Sequence, residues 1–311
     1  MAKEVAKKMD PGLRRDSKKL PEWDLGDFYA APGAPQVAKD FTRLESLCRD
    51  FHAKYEGRVI GLSGGELAKA ISEYEVIKAV EALSDTMGRL GSYASLLFAK
   101  NMTEPARTQF YQNTQEKLTT LTSQILFFSL NINKIEDSDL AEKFKDSALK
   151  KYMPWLRDVR AFKPYQLSDD LEKLLHEKYV TGRAAWTRLF DETIATLRFP
   201  YKGKQLTEPQ IFEYMSSKKA TERKAAAAVI GKVFKNNAKL FALITNTLAK
   251  DKEIEDSWRG FKAPISARNV SNYIEDEVVE ALSSAVHKSY PQRQKIARLL
   301  GPQRAAARRR R

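Results

Sequence analysis

The stretch Val37 to Tyr55, VAKDFTRLESLCRDFHAKY, decides the fold class. Its apolar residues recur at steps of three and four, which is the spacing of one face of an α-helix. These residues are Val37, Phe41, Leu44, Cys48, Phe51 and Tyr55. Gly57 follows as a stop signal. The stretch therefore predicts an amphipathic helix with one buried face.

Ser63 with Glu66 forms a capping-box pattern, which predicts the start of a helix. The apolar residues of this helix, Leu67, Ile71 and Tyr74, again recur at steps of three and four. Two longer apolar stripes follow, and Pro105 sits where the second helix starts. The first stripe is Val76, Val80, Leu83, Met87, Leu90, Ala94 and Leu97, and the second is Phe110, Thr114, Leu118, Leu121, Ile125, Phe128 and Ile132. No fixed period above the heptad recurs, so the sequence predicts long antiparallel helices rather than a solenoid.

The pattern changes after Tyr152, where prolines and aromatic residues predict a connector with a short helix. A new helix is expected after Ser168. The segment Thr193 to Phe199, TIATLRF, alternates and precedes a turn at Gly203, which predicts a hairpin. The fold class is therefore mostly α, with long antiparallel helices and one small β-hairpin near 193–206.

Three further helices are predicted after the hairpin. Thr207 with Gln210 caps the first. One long stripe, Val229, Val233, Phe234, Phe241, Ile244 and Leu248, predicts the second. The last follows Ser271 and opens on Glu275, Asp276 and Glu277, whose charges favour the positive end of the helix dipole.

The net charge of +14 suggests nucleic acid as a partner, but the charge is concentrated at the two ends. Residues 1–20 hold seven Lys or Arg and three Asp or Glu, and residues 291–311 hold eight basic and no acidic residues. The residues between are nearly neutral, whereas a fold that follows phosphates carries a basic stripe on its folded surface. One cysteine, no apolar signal segment and no long apolar run predict a cytoplasmic protein outside the membrane.

The chain's three histidines, His52, His176 and His287, offer little for a metal site. His176-Glu177-Lys178-Tyr179-Val180 is four-fifths of HExxH, in which two His bind zinc and the Glu is the general base. Val180 replaces the second ligand, so this segment is interpreted as an ordinary helix and not as a zinc site.

Four other patterns are also given structural interpretations. Gly64-Gly65 lacks the spacing and the Lys of a phosphate loop, and Cys48 is a buried structural thiol on a helical stripe. The acidic run Glu253, Glu255 and Asp256 is a solvated ion-pair face beside Lys250 and Lys252. Phe162-Lys163-Pro164-Tyr165 is too short for a base-stacking platform. No catalytic, cofactor-binding or metal residue is predicted at any position.

The segment Lys250 to Asn272, KDKEIEDSWRGFKAPISARNVSN, closely resembles a stretch of the oligoendopeptidase F family of zinc metallo-oligopeptidases. Three other segments resemble that family in the same order: Leu20 to Tyr29, LPEWDLGDFY; Arg160 to Ser168, RAFKPYQLS; and Trp186 to Thr193, WTRLFDET. The resemblance covers about residues 20–290.

The resemblance implies a clam-like helical enzyme that hydrolyses oligopeptides in a closed channel, with zinc held by HExxH and a later Glu. It divides the chain into a basic disordered leader (1–20), an N-terminal helical domain (21–190), a truncated start of the catalytic domain (191–290) and an aberrant Arg-rich tail (291–311). The pattern is lost near Tyr290, before HExxH, as a frameshift or a premature end would produce. The chain alone is therefore expected to bind no zinc and to be inactive.

Two alternatives stay open from the sequence. A nucleic-acid or anionic-surface binder would act through the basic tails, with salt-sensitive binding that is independent of sequence. A helical protein-binding module would need a stable fold of its own, whereas helices that lack their packing partners expose apolar faces.

Overall fold

The computed structural model describes residues 23–78 and 86–309, with side chains as far as Lys295. The predicted leader 1–20, the stripe residues Val80 and Leu83, and the last arginine side chains lie outside this range. Over the described residues the chain forms fourteen α-helices and one two-stranded sheet. None of the described helices combines the length and hydropathy needed to cross a membrane.

The first half of the molecule is helical throughout. Its elements are α1 (Pro35–Tyr55), α2 (Gly64–Lys78), α3 (Thr86–Lys100), α4 (Pro105–Lys134), α5 (Asp137–Lys143), α6 (Ser147–Lys150), α7 (Met153–Arg160) and α8 (Asp169–Lys178). Short 3-10 turns occupy Val59–Gly61 and Lys163–Tyr165.

The second half contains the sheet. Its elements are α9 (Arg183–Thr196), β1 (Phe199–Tyr201), β2 (Lys204–Leu206), α10 (Glu208–Glu213), α11 (Ala220–Asn236), α12 (Ala238–Arg259), α13 (Ser266–Ser271) and α14 (Asp276–Arg309), with a 3-10 turn at Tyr214–Ser216. The predicted fold class is confirmed.

The main core lies among α1 to α4 and is closed by α7. The predicted stripe of α1 is buried from Val37 to Tyr55, and so are most of the α4 positions. Aromatic rings fill the centre, where Phe128 packs against Phe51 and Tyr74 with ring centroids 5.1 and 4.9 Å apart. Burial of these rings, with the aliphatic side chains around them, stabilises this half.

The α2 amino terminus is fixed by the predicted capping box. Ser63 Oγ donates to Glu66 Oε2 over 2.8 Å, and the Glu66 amide donates back to Ser63 Oγ over 3.4 Å. Gly64 then lets the helix approach the α5–α6 connection closely, because a Cβ on it would lie 2.3 Å from the Lys143 carbonyl oxygen. The glycine pair is therefore a packing feature, as its lack of phosphate-loop spacing indicated.

A second, smaller core forms around the hairpin. Phe199, Tyr201 and Leu206 are buried together with Ile211 of α10 and Ala226 of α11. The strands pair antiparallel, with Phe199 opposite Leu206. Lys202 and Gly203 both have positive φ (49° and 76°), as a two-residue hairpin turn requires. The predicted cap of α10, Thr207 with Gln210, is present.

Three sequence predictions need correction. The hairpin does not begin at Thr193, because α9 continues to Thr196 and the Thr193 hydroxyl donates to the Leu189 carbonyl over 2.6 Å. The predicted single helix from Val229 to Leu248 is two helices, since the Asn237 side chain donates to the Val233 carbonyl and interrupts the ladder. Val76 is half exposed instead of buried in its stripe.

The tail from Pro291 is not a separate element in its backbone. The last helix, α14, runs without a break from Asp276 to Arg309. Alanine, glutamine, leucine and arginine are strong helix formers, which is consistent with this continuation. The proposed domain limits remain predictions, although the two apolar cores fall on either side of α8 and α9.

Candidate functional site: the Arg259 junction

His176, the candidate left by the partial HExxH pattern, lies half-buried between α8 and α4. Its Nε2 is 2.8 Å from the Thr122 hydroxyl, and Ser123 Oγ donates to Glu177 Oε1 over 2.7 Å. Burial lowers the pKa of His176 below its usual value, and Lys78 lowers it further. The neutral imidazole and the Glu177 carboxylate therefore act as polar contacts that hold α8 on α4.

The other histidines are also engaged locally. His52 Nε2 lies 3.0 Å from Oε2 of Glu56, one helical turn further on. The rings of His287 and Tyr290 are in contact, with their centroids 5.2 Å apart. Within residues 23–78 and 86–295, no three His, Cys, Asp or Glu side chains come together as metal ligands. The described residues do not fit a zinc ion, so no catalytic step through zinc is derived for them.

Cys48 is fully buried in the main core. Burial raises the pKa of its thiol to about 11, although Lys78 acts in the opposite direction. A thiol that stays protonated at neutral pH is a poor nucleophile. Cys48 is buried on the α1 stripe, as its spacing predicts, and its purely structural role stays a prediction.

The acidic run in α12 makes ion pairs, as its composition predicts. Lys250 meets Glu253 at 2.8 Å, and Lys252 pairs with Asp256. Glu255 is different, because it accepts a hydrogen bond from Arg259 Nε over 2.8 Å. This contact is the edge of a larger network that the sequence did not reveal.

Arg259 lies at the end of α12 and forms a bidentate ion pair with Glu172 of α8. Its Nη1 donates to Glu172 Oε1 over 2.6 Å and its Nη2 to Glu172 Oε2 over 3.0 Å. The two side chains are only 18% and 13% exposed, so solvent screens the pair weakly. The Glu172 carboxylate, with Glu255, raises the pKa of Arg259 above its usual value. The guanidinium is thus permanently charged, and each of its three nitrogens donates to an acceptor.

Backbone groups and one aromatic stack complete this contact, which we call the Arg259 junction: Arg259, Glu172, Glu255, Tyr165 and Phe261. Arg259 Nη1 also donates to the Tyr165 carbonyl over 3.2 Å, and the Tyr165 ring stacks on Phe261 with centroids 4.0 Å apart. Between Arg259 and Phe261, Gly260 takes a left-handed conformation (φ 76°) and ends α12. In this segment Arg259 therefore makes the ion pair, Gly260 makes the turn, and Phe261 makes the aromatic stack.

Comparison with known proteins places part of the chain in a known family model. Residues 131–199, which include Tyr165 and Glu172, match the family model of oligopeptidase F. The resemblance predicted from the sequence is confirmed. No curated protein matches the chain.

Two solved structures are similar. Oligoendopeptidase F from Enterococcus faecium superposes with a TM-score of 0.68 at 18% identity, over 82% of this chain and 50% of that one. A putative peptidase from Chlamydophila abortus gives a TM-score of 0.47 at 14% identity, over 88% of this chain and 47% of that one. The first match shows that the chain shares the oligoendopeptidase F fold. The chain spans about half the length of each.

The oligoendopeptidase-like segment Lys250 to Asn272 also positions the last helix. Asp276, the first residue of α14, accepts hydrogen bonds from Ser266 Oγ at 3.0 Å and from Asn269 Nδ2 at 2.7 Å. Both donors are buried. The segment thus holds α12 in place through Arg259 and α14 through Asn269. Residues of its sequence pattern therefore make the contacts that position these two helices.

The helices that this segment positions carry an exposed apolar surface. Four residues of α14 at intervals of four lie on one stripe, the α14 stripe, and are 44–67% exposed: Val278, Leu282, Val286 and Tyr290. On α12, Ile254 and Trp258 are also one turn apart and are 51% and 65% exposed. Apolar stripes at helical spacing normally face a packing partner. In this oligoendopeptidase-like fold they face solvent.

Proposed function

We propose that this chain is the N-terminal portion of an oligoendopeptidase F-type zinc metallopeptidase that hydrolyses short peptides. In this proposal the N-terminal helical domain (21–190) forms one wall of the substrate channel, and residues 191–290, with the hairpin and the helices after it, begin the catalytic domain. The observation that carries the proposal is the superposition of 82% of the chain on half of an oligoendopeptidase F structure.

The exposed apolar residues of α12 and α14 support this proposal. A monomeric soluble protein exposes large contiguous apolar surface only where something packs. The α14 stripe and the pair Ile254 and Trp258 are therefore the surface that the second half of such a peptidase covers.

The zinc of the complete enzyme would polarise a peptide carbonyl or activate water, and its ligands would come from outside the described residues. The described part of this chain supplies walls and positions helices. The proposed substrates are oligopeptides, and the proposed location is the cytoplasm. By itself the chain is proposed to hold no zinc and to cleave no peptide.

The test is a measurement of zinc content and peptide hydrolysis on the purified chain. After dialysis against trace zinc, we expect a metal content far below one zinc per chain and no cleavage of an internally quenched oligopeptide. His176→Gln serves as a matched variant, and its result should equal that of the wild type. One zinc per chain together with cleavage that His176→Gln abolishes would overturn the proposal.

A further inference from the structure

A cleft of about 480 Å³ lies at the opposite end of the chain from the α14 stripe, between the segment 23–32 and helices α3 and α4. Trp23, Tyr29 and Leu97 are among the residues that give it an apolar lining, and Asp24 and Arg107 are among its charged residues. Its volume is that of a small-molecule site, in which a mostly apolar lining surrounds a few polar groups. None of its residues takes part in the Arg259 junction.

The floor of the cleft is held in place by buried hydrogen bonds. The Tyr29 hydroxyl donates to the buried carboxylate of Asp40 over 2.7 Å. Arg89 donates to the Phe28 carbonyl over 2.9 Å, and its guanidinium lies 4.6 Å from the centre of the Tyr29 ring. Tyr29 therefore has a fixed position, so the cleft is preorganised and does not have to form around a ligand.

Arg107, in the first turn of α4, is the polar group with unused bonding capacity. Its Nε pairs with Glu104 Oε2 at 2.7 Å, but its Nη1 is buried and has no hydrogen-bond partner in the part of the chain that the structure describes. The side chain as a whole is 24% exposed and lines the cleft. A buried N–H without an acceptor costs about 1–3 kcal/mol, so an acceptor that reaches it is favoured.

We propose that this cleft binds a small apolar carboxylic acid, with the carboxylate on Arg107 and the apolar body over Tyr29 and Leu97. A guanidinium and a carboxylate match in charge and in planar geometry. Glu104 already neutralises part of the Arg107 charge, and in the lining the negative charge of Asp24 offsets the positive charge of Lys100, so the site carries little net charge. A singly charged carboxylate therefore suits the site better than a doubly charged phosphate. Trp23, which is 72% exposed, adds an accessible apolar ring to the lining.

The test uses calorimetric titration of the purified chain with 3-phenylpropionate and with its neutral analogue, 3-phenylpropionamide. We expect the acid to bind about tenfold more tightly than the amide, because only the acid makes a charge-assisted bond. Arg107→Gln should remove this preference, and Arg49→Gln, which changes an exposed arginine of α1, should retain it.

Equal affinity of acid and amide for the wild-type chain, or binding of neither, would refute the proposed site. An unchanged preference in Arg107→Gln would also refute it. If circular dichroism shows that Arg107→Gln does not fold, the comparison of acid with amide on the wild type decides the question. Addition of inorganic phosphate provides a further check, since it should not displace the bound acid at equal concentration.

Discussion

Glu172 and Arg259 lie 87 residues apart in sequence and meet through two hydrogen bonds of 2.6 and 3.0 Å. The carboxylate that receives them also accepts the Leu167 amide over 2.8 Å, so it is fixed from its own side of the interface. The pair joins α8, which packs on the main core through α4, to α12 of the second half. This ionic contact therefore connects the segment Lys250 to Asn272 with the N-terminal helices.

Replacement of Arg259 tests the strength of this contact. Arg259→Gln leaves the Glu172 carboxylate poorly paired and mostly buried, which should lower the free energy of unfolding by about 2–3 kcal/mol. Arg259→Lys keeps the charge but not the planar fork, and it should recover only part of the loss. Urea denaturation followed by circular dichroism measures both variants.

Glu255→Gln is the matched control for the junction, because Glu255 contacts the same arginine but is 44% exposed. A loss of less than about 1 kcal/mol is expected for such a screened pair. If Glu255→Gln and Glu172→Gln lowered the free energy of unfolding equally, Glu172 would not be the main partner of Arg259, which would contradict the structure.

The glycine pair before Leu67 gives a second prediction. Gly64→Ala places a methyl group 2.3 Å from a backbone carbonyl, which cannot move away without shifting the α5–α6 connection. A destabilisation of about 2–3 kcal/mol is expected from overpacking of this kind. Gly61→Ala, three residues earlier, meets no atom within 4 Å and should change stability by less than about 1 kcal/mol. Thermal unfolding of the two variants makes the comparison.

His176 predicts a specific dependence of stability on pH. Its folded-state pKa is lowered from 6.5 by burial and by Lys78, against the opposing effects of the Thr119 carbonyl and Glu177. Between this lowered pKa and 6.5 the unfolded chain binds more protons than the native one, so stability should fall as the pH decreases through this window. His176→Gln should reduce that pH dependence. Urea midpoints at neutral and mildly acidic pH, for the wild type and for His176→Gln, measure it.

The exposed α14 stripe predicts that the isolated chain associates with itself. The stripe is not expected to contribute to the stability of the monomer. Leu282 is 67% exposed, so Leu282→Glu should change the free energy of unfolding by less than about 0.5 kcal/mol. It should, however, reduce concentration-dependent association in sedimentation velocity. The buried Leu156→Ala provides the contrast, with an expected loss of about 2–5 kcal/mol. If the wild-type chain stayed monomeric at all concentrations, the α14 stripe would not mediate self-association and the prediction would be wrong.

Local patterns in the sequence predicted the helices well where burial and spacing coincide. The stripe from Val37 to Tyr55 and the two capping boxes are examples, because each depends on residues within a few turns. The hairpin limits failed at Thr193, where hydroxyl groups that bond to helical carbonyls and contact between Phe190 and Phe241 favour helix over the apparent alternation. A short alternating segment is ambiguous until its neighbours are known.

The Arg259 junction and the Arg107 cleft could not be predicted from spacing. Glu172 and Arg259 each stand among other charged residues, and nothing local distinguishes the buried pair from the exposed ion pairs beside it. The cleft is assembled from the segment 23–32, α3 and α4. Its important property is that Arg107 Nη1 has no partner among the described residues, and this depends on where Glu104 places the guanidinium. The resemblance marked the segment around Arg259 but not the contact that it makes.

The central claim, that this chain is the N-terminal portion of a zinc oligopeptidase, is tested most directly by sequencing the genomic DNA beyond codon 290 and translating it in all three frames. One frame is expected to continue the oligoendopeptidase F pattern and to reach codons for HExxH. A long downstream sequence with no HExxH in any frame would contradict it.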